Sequence, residues 1–359
     1  MSEPDKPPHD APRRSIGKLG RRALLISAGA GLATAGVVAT GIVLDAIPDH
    51  DTDADATLSN GPPKLVRLST GTHAPPLAAL AVGQMNGIFT AYNLLIQLES
   101  HDRSDDAFAD LAAGRLDAVI SPAVRWLPAL QGGLGASLVC GLHAGGTRLL
   151  VPRRSPVHRI EDVDGKRVAV ARRDSSVVQM LAVMMRRKGM NPLQQIRWVE
   201  TDPAHFVDAL NAGEVDAIAG VDPLLWQLQH DLHLNQILSS DSGSFRQRVS
   251  SILGVSQAML GARLDVVTAL VHAIQDAAGW TARHPKEAGA MLAPQMGGMP
   301  ADQVSAMLAA EGQDIHPIGA PLREQVAQYA DDLKLLGVFA DTLNSARFAR
   351  MAVRDITPA

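Results

Sequence analysis

Ala107-Phe108-Ala109-Asp110-Leu111-Ala112-Ala113-Gly114-Arg115-Leu116-Asp117-Ala118-Val119 is echoed later in the chain. The second version is His205-Phe206-Val207-Asp208-Ala209-Leu210-Asn211-Ala212-Gly213-Glu214-Val215-Asp216-Ala217-Ile218. Each version reads as a short helix stopped by glycine, followed by a strand that opens on an aspartate. Glycine suits that stop, because a helix end that turns left-handed carries no Cβ penalty there. Both strands then meet a polar or proline-bearing stop, Ser121-Pro122 in the first and Val221-Asp222-Pro223 in the second. The chain therefore reads as two similar α/β lobes, each sending strand ends toward a place where ligands bind.

Outward from the repeat, strands and helices alternate. Lys64 to Ser69 alternates as a strand and stops at Thr70-Gly71-Thr72-His73-Ala74-Pro75-Pro76. A helix over Leu77 to Asn86 and a strand over Leu94 to Leu98 lead into the first copy. Ala136 to Cys140 and Arg148 to Val151 read as two more strands. A turn at Ile160 to Lys166 runs into a strand ending at Val170, and a helix starts near Ser175-Ser176, where serine supplies N-cap chemistry. Ile196 to Val199 is a further strand before the second copy. Past Val255 the pattern turns helical, with Leu264, Val267, Val271, Ile274 and Ala278 on one face and His284-Pro285 as the break. This alternation argues for a mainly parallel sheet in each lobe, with a helical tail that packs on the first.

Composition narrows the function. The chain has 359 residues, 46% of them hydrophobic and 19% charged, which is enough for two domains with apolar cores. A net charge of −4, with no basic stripe, argues against nucleic acid. The one cysteine, Cys140, excludes an internal disulfide and multi-cysteine metal sites, and its apolar strand marks it as a buried thiol. His230-x-x-His233 has no third ligand nearby, so no metal site is expected. No phosphate-binding glycine loop and no nucleophile elbow is present; Gly254-Val255-Ser256-Gln257-Ala258 lacks the second glycine. Catalytic residues and cofactors are accordingly not expected.

The first 56 residues read as an address. A polar segment leads to Gly20-Arg21-Arg22, an uncharged run follows from Ala23 to Leu44, and Asp45, Asp49 and Asp51 come after it. Basic residues before the run and acidic ones after it place the N-terminus in the cytoplasm and the body outside. The Arg-Arg pair resembles a twin-arginine export signal, although Gly20 stands where a serine or threonine is usual. A Sec-type signal and a retained anchor over residues 23–44 remain open as alternatives. The expected location is periplasmic or otherwise extracytoplasmic.

At this point the layout resembles the nitrate/taurine/alkanesulfonate-type substrate-binding proteins of ABC transporters. The resemblance runs through Gly87-Ile88-Phe89, Ala113-Gly114-Arg115-Leu116-Asp117 and Asp162-Val163-Asp164-Gly165-Lys166-Arg167-Val168-Ala169-Val170. It continues through Ser175-Ser176, Ala212-Gly213-Glu214-Val215-Asp216, Val221-Asp222-Pro223 and Ala278-Gly279-Trp280-Thr281-Ala282-Arg283-His284-Pro285, covering residues 64–300. It implies an α/β fold of two lobes, periplasmic-binding-protein-like (type II). Residues 57–152 and 246–359 would form lobe 1 and residues 153–245 lobe 2. It also implies hinge closure on a small, anionic solute, delivery to an ABC permease in the cytoplasmic membrane, and a monomer. Two other readings stay open. One is a ligand-sensing domain for a membrane partner; the other, an enzyme like the thiamine-pyrimidine synthases of the same fold, is disfavoured by the export segment.

Four loops should converge on the cleft, and they supply the candidate ligand-binding residues Thr72, His73, Ser121, Arg125, Asp174, Ser175, Ser176 and Asp222. The serines and Thr72 offer hydroxyls, the helix start at Ser175-Ser176 offers free amides and a dipole for an anion, and Arg125 offers a forked charge. Each has a structural alternative: an N-cap for the serines, an exposed helix position for Arg125, a cap for Asp222. Trp126 and Trp226 are the aromatics nearest the loops, with core packing as their alternative. The chain departs from the family where Asp174 replaces a common glycine and Val221-Asp222 replaces an aromatic-acidic pair. An acid at Asp174 repels an anion unless Arg172 or Arg173 compensates.

Overall fold

The computed structural model describes residues 61–71, 76–312 and 314–356. The predicted signal or anchor, Thr72 and His73 lie outside the described residues. Ten strands are described: β1 Lys64–Gly71, β2 Leu94–His101, β3 Ala118–Pro122, β4 Ala136–Ala144, β5 Thr147–Val151, β6 Arg167–Val170, β7 Arg197–Glu200, β8 Ala217–Val221, β9 Asn235–Ser239 and β10 Val249–Ser256. They form two five-stranded sheets, ordered β2-β1-β3-β10-β4 and β7-β6-β8-β5-β9, with helices against both.

Each sheet is mixed, with one reversed strand. β10 runs antiparallel to β3 and β4, and β5 runs antiparallel to β8 and β9, while the β2-β1-β3 and β7-β6-β8 sets are parallel. The reason is the route of the chain. A strand that leaves one lobe at its carboxyl edge enters the other sheet from that sheet's carboxyl edge, and so runs backwards through it. β5 belongs to the second sheet, so the chain changes lobes between Ala144 and Thr147, ahead of the boundary at 152 read from the sequence. It returns between Ser239 and Val249.

The aspartate of each repeat has a definite job. In the first lobe the Arg67 amide donates to Asp117 Oδ2 at 2.9 Å, Nε to the same oxygen at 3.1 Å, and Nη2 to Oδ1 at 2.9 Å. In the second lobe Arg167 meets Asp216 in the same way, at 2.8, 3.1 and 2.9 Å. The aspartate amides return a bond to the carbonyls of Arg67 and Arg167. Each clamp thus ties a central strand, β1 or β6, to the strand after the glycine turn, where Gly114 and Gly213 hold φ of 71° and 67°.

The helix Leu264–Arg283 buries Val267, Leu270, Val271, Ile274 and Ala278 against the first sheet. Leu264, expected on that face, is 44% exposed at the first position of the helix. The helical tail touches the first sheet, with the Tyr329 hydroxyl donating to the Val249 carbonyl at 2.9 Å. It also reaches the second lobe: Asp332, buried, accepts from Arg187 at 2.6 Å and from Arg248 at 2.8 Å. No helix among the described residues is long and apolar enough to cross a membrane.

Burial opposes the charge on Asp117, but the Arg67 fork and amide outweigh it and hold the carboxyl below its ordinary value. Asp216 is lowered as well, chiefly by the Arg167 fork. A carboxyl whose folded pKa is depressed stabilises fully above the ordinary carboxylate range and loses that contribution as pH falls through it. Asp117→Asn should therefore cost about 2 kcal/mol at neutral pH and flatten the loss of stability below about pH 4. Denaturant titration at several pH values checks both effects; an unchanged slope in acid would contradict the clamp.

Candidate functional site

The carboxyl ends of the two sheets face each other, and an ion-pair chain joins them. From the first lobe come Arg103, which follows β2, Asp105 in the helix Ser104–Ala112, and Arg125 in the helix Ala123–Gln131. From the second lobe come Arg172 and Asp174, in the loop between β6 and the helix Ser176–Arg186. Arg125 Nη2 grips both Asp105 oxygens at 2.6 and 2.7 Å, and its Nη1 donates to the Asp174 carbonyl at 3.4 Å. Arg172 forks the Asp174 carboxylate through contacts of 2.9, 2.6 and 2.7 Å. Arg103 lies 3.4 Å from that carboxylate and 3.6 Å from Asp105. The Arg172 fork holds the Asp174 carboxyl below its usual range, so it is charged at neutral pH.

The structure brings Arg125 and Asp174 together, with Arg103 and Asp105, which were not among the candidates, between them. Ser121 is buried at the end of β3, and its hydroxyl bonds that of Ser104 at 2.8 Å. Ser175 is the N-cap of its helix: its Oγ accepts the Val178 amide at 3.4 Å. Ser176 is the first, half-buried residue of that helix. Thr70, which opens the first of the loops expected at the cleft but was not singled out there, stands near the end of β1 at the same edge. It is buried, and its hydroxyl has no hydrogen-bond partner among the described residues. A buried hydroxyl left so is costly unless another group meets it.

Asp222 does not stand open at the cleft. It is 1% exposed and is gripped by Arg148, with Nε at 2.8 and 2.9 Å from its two oxygens and Nη2 at 2.8 Å. Burial pushes the Asp222 carboxyl up, and the Arg148 guanidinium pulls it back. Asp241 meets the same guanidinium at 2.8 Å, and Gln236 accepts from it at 2.6 Å. Trp226 lies against its face, 5.0 Å from ring to guanidinium carbon. Asp241 also accepts the Gly146 amide at 2.8 Å, so both lobe crossings are fastened to one another. Arg148 was the visible signal here, an arginine inside the otherwise apolar strand Thr147–Val151.

Trp126 is core, with its Nε1 on the Ile252 carbonyl at 2.9 Å and its ring against Phe108. Cys140 is buried and burial pushes its thiol up, away from reactivity. Among the described residues Glu99, His101 and Asp110 lie close enough to share an ion. They are already committed: His101 bonds Ser69 at 2.7 Å and Asp110 at 3.1 Å, and Arg115 holds the other Asp110 oxygen. His230 stacks on Trp226 and bonds its carbonyl, so it serves the helix.

The NMT1/THI5-like family model matches residues 74–288, and the chain belongs to that family. No curated protein sequence matches it. Among solved structures the chain resembles the periplasmic aliphatic sulphonate-binding protein SsuA of Escherichia coli, with a TM-score of 0.66 and 17% identity over 82% of this chain and 92% of that one. The alkanesulfonate-binding SsuA of Xanthomonas axonopodis pv. citri, bound to MOPS, gives 0.65 and 20%, covering 80% and 98%. The periplasmic nitrate-binding protein NrtA of Synechocystis PCC 6803 gives 0.63 and 12%, covering 81% and 86%. The two-lobed binding-protein fold expected from the sequence is thus the fold observed.

Removing one partner of a buried ion pair strands the other. Arg148→Met should cost about 3–5 kcal/mol, and Arg148→Met with Asp222→Leu should recover part of it. Gly145 should tolerate no side chain, since its φ is +94° and a Cβ there would overlap Asp241 Oδ1. Gly145→Ala should cost about 2 kcal/mol or more. Urea melts of these variants check the latch; wild-type stability in all of them would contradict it.

Proposed function

We propose that this protein captures a small anionic solute between its lobes outside the cytoplasmic membrane and hands it to an ABC importer. The observation that carries the reading is the meeting of three guanidinium groups, Arg103, Arg125 and Arg172, at the facing carboxyl ends of the two sheets. Ligands of open α/β sheets sit at that edge, and forked arginines suit sulfonate, nitrate or carboxylate oxygens. The buried Thr70 hydroxyl and the start of the helix at Ser175-Ser176 add donors at the same edge. The sulfonate- and nitrate-binding proteins that share the fold support the choice of solute class. Both lobes contribute, so a solute would stabilise their closed arrangement, and the closed pair would present one surface to a permease.

Arg125 is the group to test, because its side chain is only 18% exposed and it touches both lobes. A thermal-shift screen of the full chain against sulfonates, nitrate and carboxylates should find one class that raises Tm. Ligand at about 100 times its Kd contributes about 2.7 kcal/mol. Arg125→Ala should remove the shift while leaving the protein folded. A ligand-induced rise untouched by Arg125→Ala would move the site elsewhere, and no rise with any anion would refute the solute class.

A further inference from the structure

We propose that Asp174 is a built-in occupant of the anion seat, a specificity gate that a solute must displace. The proposal rests on the reading of the cleft as an anion site and deepens it.

The arrangement has the form of a bound complex. The Asp174 carboxylate is forked by Arg172 of its own loop and faced by Arg103 from the other lobe at 3.4 Å. Arg125, also of the first lobe, holds the Asp174 carbonyl. Two carboxylates and three guanidinium groups make up the group: Asp105 and Asp174 against Arg103, Arg125 and Arg172. Asp105 belongs to the same lobe as the two arginines it neutralises, so it does nothing to join the lobes. Asp174 is the acid that reaches across, standing where an incoming anion would bring the lobes together.

Charge determines which anions the seat can accept. With Asp174 in place the five groups sum to +1, and without it they would sum to +2. A small anion arriving at the wild-type cleft therefore meets guanidinium groups already engaged by carboxylates. It gains little unless it also makes contacts that Asp174 does not make, such as with the Thr70 hydroxyl. Asp174 is also free to leave, since its side chain is 56% exposed. Exposed ion pairs bind weakly enough for a better ligand to displace them. The gate thus rejects simple anions such as chloride and sulfate, and admits a solute large enough to engage the rest of the cleft.

The test compares wild type with Asp174→Asn, which keeps shape and removes charge, and with Asp174→Gly, which removes the occupant. Isothermal titration of the full chain with sulfate and methanesulfonate should show binding roughly tenfold tighter or more in both variants. Their affinity should also depend more steeply on salt. Small-angle scattering without ligand should show a larger radius of gyration in the variants, reduced again by sulfate. Equal or weaker anion binding in folded variants would overturn the gate, and so would variants that bind no anion at all. If the wild type meanwhile takes up a solute of another class, solute binding stands and only the anion seat falls. If wild type binds methanesulfonate and Asp174→Asn binds it no better, the anion site stands and only the gate falls.

Discussion

Burying the Arg148 guanidinium, 5% exposed at the crossing between the lobes, is tolerable only because carboxylates meet it on the spot. Asp222 closes the second sheet on it, and Asp241 brings in the returning crossing. The Gly146 amide adds the other crossing to the same acid. One charge thus fixes where the two connecting segments lie relative to the second sheet, and through them the direction in which each lobe presents its strand ends. The cleft chemistry depends on that placement. Arg103 can reach Asp174 only if the two carboxyl edges face each other at this distance.

The two lobes solve their internal problem identically. An arginine of one strand and an aspartate after a glycine turn form a bond set whose distances agree within 0.1 Å between Arg67–Asp117 and Arg167–Asp216. Asp117 and Asp216 stand just before the amino ends of β3 and β8, so these clamps lie away from the carboxyl edges where Arg125 and Asp174 meet.

Local pattern made most of the fold legible. The helix–glycine–aspartate–strand phrase marks both lobes, and the Ser175 N-cap sits where serine chemistry puts it. What escaped reading is nonlocal. Arg148 and Asp222 are 74 positions apart, and Arg103 and Asp174 are 71 apart, so no window along the chain displays either pair. Asp222 was misplaced for that reason: beside a proline at a strand end it looks like a cap or a ligand group, and only tertiary structure supplies the buried arginine that consumes it. The reversed strands escaped likewise, because alternation along a strand carries no sign of its direction. Asp174, by contrast, stood out in the sequence as an acid where the family commonly has glycine, and the arginines that surround it give the compensation that such an acid needs.

A solute bound as proposed would be held at once by both carboxyl edges. Hydrogen–deuterium exchange of the full chain, with and without the solute that raises its Tm, tests this most directly. Exchange should slow together in two segments, the start of the helix Ala123–Gln131 and the start of the helix Ser176–Arg186. Protection confined to one lobe, or to surfaces away from both helix starts, would contradict it.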